Sequence, residues 1–407
     1  MKVAQINSVY GFGSTGIIVR DIEQMLQKKG DTSCIIYQQA NMPVENGLCV
    51  GNPIDWKLHA FFTRVRGKQA YGSVLSTKKM LNYLGKQNPD VVHLHNLHSN
   101  YINLNILLDY LAKKNIPTVI TLHDCWFFTG KCFHFVVCGC EKWKTQCKNC
   151  PQNKEDVKSL FFDQSMRVFE DKKKYFQNIP ALTVVGCSEW MKNLAEKSPI
   201  FSGRKILRIY NGVDTNIFHY RSNQTFRKRN RLNNYFVILG MANKWLQDRN
   251  RDIFKNILNV LAEDEVIVII GCSEEQKQKL VGINKVITMG YINDRDELAD
   301  IYSSSDVFVN LTFEDTLPTV NMEAICCGTP VITYDSCGSP ELVEDGKTGY
   351  VIPIKNFPAL KKSLKKVREG NLSRYECEKI GQVCFNKNEQ YLNYLQIYND
   401  LKKDKGD

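Results

Sequence analysis

The chain has 407 residues, 43% apolar and 24% charged, an ordinary globular composition but too long for one core, so two or three domains are expected. No run approaches the roughly 18 apolar residues of a membrane-spanning helix, and the N-terminal MKVAQINSVYG is too weakly apolar for a signal peptide, so a cytoplasmic location is expected. A net charge of +11 favours acidic partners such as nucleotide phosphates, nucleic acid or an anionic membrane surface without choosing among them.

In chain order, KVAQI is a short apolar strand, followed by a glycine-rich turn and a helical pattern through Ile17, Ile18, Ile22, Met25 and Leu26 that stops near Gly30. SCIIYQ, DVVHLHN, TVITLHD and LTVVGCS read as further strands, with a helix from Tyr101 to Lys114. After ILRIYNGVD the pattern restarts with YFVILGMA, EVIVIIG, KVITMGY, DVFVNLT, PVITY and GYVIP. Short buried strands alternating with helices predict parallel, doubly wound sheets. The polar, basic segment His219 to Asn234 reads as a surface linker or loop, and a last helical pattern runs from about Ser373 to Lys402. The expected domains are 1–205, with a cysteine-rich insert at 125–152, then 206–384, and a terminal helix 385–407 that crosses back to the first domain.

In open parallel sheets ligands bind beyond the carboxyl ends of the strands, and the chemistry-bearing motifs fall in those loops. GFGSTG, Gly11 to Gly16, matches G-x-G-x-x-G after the first strand. A dinucleotide fold asks for an acid at the end of the second strand, where this chain has Gln38 and Gln39. What remains is either a phosphate cradle of backbone N–H groups or a tight turn without a ligand. His93 and His95 alternate on one strand face, so a two-histidine metal site is conceivable, and burial within the sheet is the favoured reading. His123 and Asp124 stand just past a strand end.

In the second half, Lys244, Arg249 and Arg251 cluster after a strand, as anion ligands or as a solvated loop. The block NLTFEDTLPTVNMEAICCGTPVI is the most informative. Glu314 and Asp315 follow a strand, Pro318 leads into a helix, and Glu323 lies within it. N–H groups at that helix start could bind a diphosphate, with carboxylates on either side to accept sugar hydroxyls.

These motifs, with PDVVHLHN, VGCSEWM, IYNGVDTNIF and CGTPVI, make the chain resemble glycosyltransferase family 4, a retaining group of GT-B fold, over nearly its whole length. Within that group it is similar to bacterial capsular, colanic-acid-type and other exopolysaccharide transferases, which share the HDCW-FTG-C stretch. The resemblance implies two Rossmann-like domains facing a cleft, a nucleotide-diphospho-sugar donor and a lipid-linked saccharide acceptor at the inner membrane face. It places Gly13, with Ser14 and Thr15, on the donor diphosphate and His123 near the donor sugar. Arg249 falls where the family usually has the lysine of an arginine–lysine pair; the partner position holds Asp248, with Arg251 or Lys244 as substitutes. Acids eight positions apart are expected, a spacing met by Asp315 and Glu323 and missed by one from Glu314. The first acid would meet the donor sugar, Glu323 the ribose, and Thr319 and Val320 would offer N–H groups to phosphate. No catalytic metal is implied.

Two features stand outside that scheme. Of 15 cysteines, six lie between Leu122 and Gln152, and Cys132, Cys140, Cys147 and Cys150 have the spacing C-x7-C-x6-C-x2-C. The terminal CxxC suits a structural zinc site, with Cys138 and His134 as substitute ligands; disulfides and free thiols are the alternatives. Four thiolates would leave zinc no open position, so the cluster would brace the fold and not catalyse. Phe61 to Met80 holds Arg64, Arg66, Lys68, Lys78 and Lys79 without an acid and carries Phe61, Phe62, Tyr71 and Leu75. It reads as an anchor to anionic membrane or as a solvated helix face. Two rival functions are an epimerase or hydrolase of the same fold, and a zinc-knuckle nucleic-acid-binding protein, which would leave the two-acid block unexplained.

Overall fold

The computed structural model describes residues 1–246 and 251–403. The chain divides into two units, Met1–Asn211 with Asn388–Asp407, and Gly212–Lys387. Each is a parallel sheet flanked by helices, the doubly wound α/β arrangement that the strand–helix alternation predicts.

In the first unit the strands are β1 (Lys2–Tyr10), β2 (Thr32–Ala40), β3 (Gly47–Cys49), β4 (Val91–Leu94), β5 (Thr118–Leu122), β6 (Leu182–Gly186) and β7 (Lys205–Arg208), in the order β3-β2-β1-β4-β5-β6-β7. Between them run α1 (Gly13–Lys28), α2 (Pro53–Arg66), α3 (Val74–Gln87), α4 (Leu104–Lys113), α5 (Ser165–Gln177) and α6 (Glu189–Lys197). The strand order reverses between β1 and β4, the switch point at which such sheets open a crevice. β3 and β7 escape the sequence pattern because GLC and KILR are short edge segments without an apolar run. β7 pairs with β6, so the boundary expected at 205/206 would cut through a strand of the first sheet.

In the second unit β8 (Phe236–Met241), β9 (Glu265–Ile270), β10 (Val286–Thr288), β11 (Val307–Asn310), β12 (Val331–Tyr334) and β13 (Gly349–Ile352) lie in the order β10-β9-β8-β11-β12-β13, with the switch between β8 and β11. The helices are α7 (Thr225–Arg229), α8 (Ala242–Trp245), α9 (Arg251–Val260), α10 (Glu274–Leu280), α11 (Arg295–Ser303), α12 (Thr319–Cys326), α13 (Phe357–Arg368) and α14 (Arg374–Cys384). The segment 219–234 is not a loose linker. It forms α7, buries Phe226 and Leu232, and sends the Arg227 guanidinium to Asp306 and to the Ser304 carbonyl, 2.6 Å away. A buried guanidinium bonded to backbone carbonyls and a carboxylate satisfies its donors, which composition alone does not reveal.

The last helical pattern is two helices. α14 stops at Cys384, and α15 (Lys387–Lys403) begins after Asn386 bridges to Val213. α15 lays Tyr391, Tyr394, Tyr398 and Leu401 into the core of the first unit, against Val3, Ile18, Ile22, Leu26, Val91 and Val119. The tyrosines keep their hydroxyls satisfied: Tyr398 meets His93 Nδ1 at 2.6 Å, and Tyr394 meets Thr121 Oγ1 at 2.9 Å. Among the described residues, no helix is long and apolar enough to cross a membrane.

Tyr398→Phe leaves a buried ring nitrogen of His93 without its partner. It should lower the thermal midpoint of the first unit, at a cost of about 1–3 kcal/mol. Circular dichroism melts check this; an unchanged midpoint would show the hydroxyl to be dispensable.

Candidate functional site

In the first unit the site elements gather at the carboxyl ends of β1, β4 and β5. Gly11 and Gly13 have φ of +81° and +62°, and an added Cβ at Gly11 would come within 2.6 Å of Asn41 Oδ1. Both positions therefore want glycine. The turn is closed by Gly11 N–H donating to the Gly16 carbonyl at 3.1 Å. α1 then starts from an extended Phe12 with no side-chain cap, and Gly13 and Ser14 are exposed while Thr15 is half-buried. Asn7 holds the loop base: its amide donates to the Val9 carbonyl at 2.7 Å, and its Oδ1 accepts from Asn96 N–H at 3.0 Å.

Beside this loop lies a row of histidines. His93 is buried and bonded on both nitrogens, to Tyr398 and to Thr121 Oγ1 at 2.7 Å, which excludes it as a metal ligand in this arrangement. His95 is buried too, and its Nδ1 meets His123 Nε2 at 3.0 Å with the two rings stacked. Burial drives His95 well below the ordinary histidine range and pushes His123 down to about 4, so both rings are neutral near neutral pH. Asp124 behaves differently. Burial raises its carboxyl, but His98 Nε2 at 2.9 Å and the Trp126 N–H at 2.8 Å outweigh that and hold it below the usual value. His98 and Asp124 thus form an ion-pair-like brace behind His123, a pairing that nothing in their spacing announced.

In the second unit, α12 follows β11 through a loop that carries both acids. Lys244 Nζ reaches Asp315 Oδ2 at 3.0 Å and Thr312 Oγ1 at 3.2 Å, so the lysine expected on an anion is already engaged with the expected first acid. Asp315 Oδ1 accepts from Leu317 N–H at 3.3 Å, and its own carbonyl accepts from Gly338 N–H at 3.2 Å. Glu314 lies next to it, half-buried, with its carbonyl accepting from Thr312 Oγ1 at 3.1 Å. α12 has Pro318 as its N-cap and no side-chain cap, which leaves the first N–H groups, at Thr319 and Val320, for another acceptor. Asn321 on α12 is tied to Asn310 at the end of β11 by a buried 2.7 Å amide bond. α14 supports the helix from behind: Gly381 packs so closely that a Cβ would lie 2.8 Å from Cys326 N.

Glu323 sits one turn into α12. Burial raises its pKa to about 7, against the favourable effects of Arg295 and of the Tyr302 hydroxyl, which donates to Oε2 at 3.3 Å. The structure therefore brings Lys244, Asp315, Thr319, Val320 and Glu323 to one end of the second sheet. Arg249 and Asp248 lie outside the described residues, as does the side chain of Arg251. Tyr302, Asn310, Asn321 and the brace residue His98 were not foreseen. An isolated asparagine or tyrosine at a strand or helix end carries no local signature of the partner it finds.

Comparison with known proteins bears on the family and the fold. Residues 15–217 match the family model described as Glycosyltransferase Family 4, and residues 248–383 the model described as Glycosyl transferases group 1. The chain belongs to the GT-B glycosyltransferases of family 4 type. One relative is WcaC of Escherichia coli (strain K12), whose name assigns it to colanic acid biosynthesis as a glycosyl transferase; it is 24% identical over 269 residues, 64% of each chain. The match thus spans just under two thirds of that relative's length. Among solved structures, sucrose-phosphate synthase from Thermosynechococcus elongatus superposes with a TM-score of 0.71 at 17% identity, covering 98% of both chains. Anabaena HepE, solved with UDP and glucose, gives 0.65 at 14% identity, covering 98% of this chain and all of the other. At those identities the likeness establishes the fold.

Because Glu323 binds its proton more tightly folded than unfolded, ionising it costs stability. That cost is absent below about 4.5 and complete above about 7. The stability deficit of the wild type relative to Glu323→Gln should therefore widen as pH rises through that window. Tyr302→Phe removes a donor to the charged form and should raise the carboxyl pKa further. Carboxyl-carbon NMR of Glu323 reads both; a titration near 4.5 in the wild type would refute them.

Proposed function

We propose that this chain moves a sugar from a nucleotide-diphospho-sugar to a lipid-linked saccharide during assembly of a bacterial surface polysaccharide, with retention of anomeric configuration. The observation that carries the reading is the uncapped start of α12 standing between Asp315 and Glu323. A helix N-terminus offers oriented donors and a positive potential to a diphosphate. When ionised the flanking acids can only accept, and so suit the hydroxyls of sugar and ribose. UDP and glucose in the HepE structure, and the colanic acid assignment of WcaC, support the donor class and the polysaccharide setting.

In this scheme Thr319 and Val320 N–H groups meet the diphosphate, Glu323 accepts from the ribose, and Asp315 accepts from the donor sugar. Arg249 supplies the main cation to the leaving group. Lys244, now on Asp315, turns toward phosphate when the donor arrives. Gly13, Ser14 and Thr15 give a second set of N–H groups, and neutral His123 hydrogen-bonds the transferred sugar. The bond between the anomeric carbon and the diphosphate oxygen breaks as the acceptor oxygen bonds to that carbon from the same face. The acceptor's proton leaves on the nucleoside diphosphate. Fixed donors meet charge where it develops, so no divalent metal is required for the step.

The test is a panel of nucleotide sugars with product anomers read by proton NMR. Glu323→Gln should weaken donor binding about 10-fold to 100-fold, the equivalent of a lost charge-assisted bond of roughly 1.5–3 kcal/mol. Asp315→Asn should damage turnover more than Glu314→Gln, and Arg249→Ala should lower it about 10²–10³-fold. Inverted product would exclude retention, and equal effects at Asp315 and Glu314 would exclude the acid assignment.

For the membrane side, α2 and α3 expose Phe61, Phe62 and Leu75 together with Arg64, Arg66, Lys78 and Lys79. Leu160, Phe161 and Phe162 add exposed apolar area beside them, since Leu160 N–H donates to the Arg64 carbonyl at 2.8 Å. Tyr71, expected among the inserting aromatics, is instead half-buried with its hydroxyl on Asp171 at 2.7 Å. At about 1 kcal/mol per basic residue, the patch suits reversible docking to an anionic bilayer, where a lipid-linked acceptor is found. Changing Arg64, Arg66, Lys68, Lys78 and Lys79 to Gln should abolish co-sedimentation with phosphatidylglycerol vesicles at low salt. Equal sedimentation of both proteins would rule the patch out.

A further inference from the structure

The 40 or so residues between β5 and α5 form an insert whose only regular structure is two short 3₁₀ turns, Trp126–Phe128 and Lys142–Lys144. A loop that long inside a compact unit needs something to hold it. Part of the answer is aromatic: Phe128 and Phe135 pack on Trp143 with ring centroids 5.4 and 4.9 Å away. The other part is the cysteines. Cys132, Cys140, Cys147 and Cys150 line one void of about 20 Å³, large enough for a single small occupant.

We propose that Cys132, Cys140, Cys147 and Cys150 hold one structural zinc ion that pins this insert. Three independent features of the void support it. The first is spacing. Cys132 and Cys150 Sγ are 4.0 Å apart, against about 2.05 Å for a disulfide. Two thiolates on a tetrahedral zinc with bonds of about 2.3 Å stand about 3.8 Å apart.

The second feature is charge. Lys131 and Lys172 are both buried, and neither makes an ion pair with a carboxylate; their ammonium groups reach Asn153 and the carbonyls of Trp126 and Thr129. Buried cations call for buried counter-charge. Lys131 lies within electrostatic reach of Cys150 and Cys132 as well as of Asp163 and Asp156, and Lys172 of Cys147 and Cys132 as well as of Asp124. Zinc with four thiolates would carry two net negative charges beside both lysines, adding to the counter-charge around them.

The third is a pair of orphaned donors. Ser165 Oγ and Trp143 Nε1 are buried, line the same void and have no hydrogen-bond partner. Buried donors are nearly always satisfied, and metal-bound sulfurs are acceptors that would take both. Cys138 is not needed as a ligand, because it is exposed and engaged with the Phe135 carbonyl and the Gln152 amide. Among the described residues, no three metal-binding side chains already converge at ligand distance. Cys147 Sγ instead accepts from Gly130 N–H at 3.2 Å. Metal binding therefore requires Cys140 and Cys147 to turn toward the Cys132–Cys150 pair across the void they share.

The full chain, purified under reducing conditions without added metal, should contain about one zinc by elemental analysis. Cys147→Ser and Cys150→Ser should each bring that to about zero and lower the thermal midpoint, while Cys384→Ser should keep the zinc. Should a variant fail to fold, cobalt exchange into the wild type gives the intense visible bands of a tetrahedral thiolate site. Zinc-free wild type with an unaltered midpoint would overturn the proposal. So would an intact mass 2 Da lighter than the reduced chain, the mark of a Cys132–Cys150 disulfide, or retention of zinc in both cluster variants.

Discussion

A parallel sheet sends every strand out at the same edge, where the next helix begins with N–H groups that have no intrahelical partner. The two units meet this constraint differently from one helix start to the next. Several helix starts are closed by side chains: Asn103 caps α4, Ser188 caps α6, Ser273 caps α10, Asp294 caps α11 and Asn356 caps α13, whereas α3, α5 and α7 start without one. The helices that directly follow β1, β8 and β11 begin at Phe12, Met241 and Pro318, and none of these provides a cap. Three of the uncapped starts thus lie directly after strands that flank the points where the strand order reverses. The glycine loop, Lys244 and the two-acid block are all built around those three helix starts.

Much of this was legible in the sequence because it depends on local rules. Apolar runs of four to six residues marked the central strands, and the glycines of Gly11 to Gly16 marked a backbone that only glycine adopts comfortably. The eight-residue separation of Asp315 and Glu323 placed one acid before a helix and one inside it. What stayed hidden depends on partners distant in sequence. Lys244 reads as a free cation until β8 and β11 become neighbours and set it on Asp315. Arg227 reads as part of a solvated basic run until Asp306 and Ser304 are brought to it. β3 and β7 are strands only because an existing sheet edge recruits them.

The histidine row shows how the first unit uses its interior to shape the site edge. His93 is fixed by two hydroxyls, its ring lies 3.9 Å from that of His95, and His95 in turn contacts His123. Neutral rings packed this way transmit orientation without placing charge in the core. At the edge, His98 Nε2 lies 2.9 Å from the Asp124 carboxylate. Asp124 also accepts from Trp126, so the loop bearing His123 and the insert that follows it share one anchor.

The return of α15 to the first unit also sets an order of assembly. The sheet of that unit is complete in sequence by Arg208, yet Tyr391, Tyr394, Tyr398 and Leu401, which cover Val3, Val91 and Val119, are made last. All of Gly212–Lys387 must leave the ribosome in between. At about 5–20 residues per second that interval is on the order of ten to thirty seconds. During it the nascent first unit carries a bare apolar face and a His93 that still lacks Tyr398, while the strands of the second unit are being made. The half of the molecule translated first therefore receives its last covering helix only after the other half has been made.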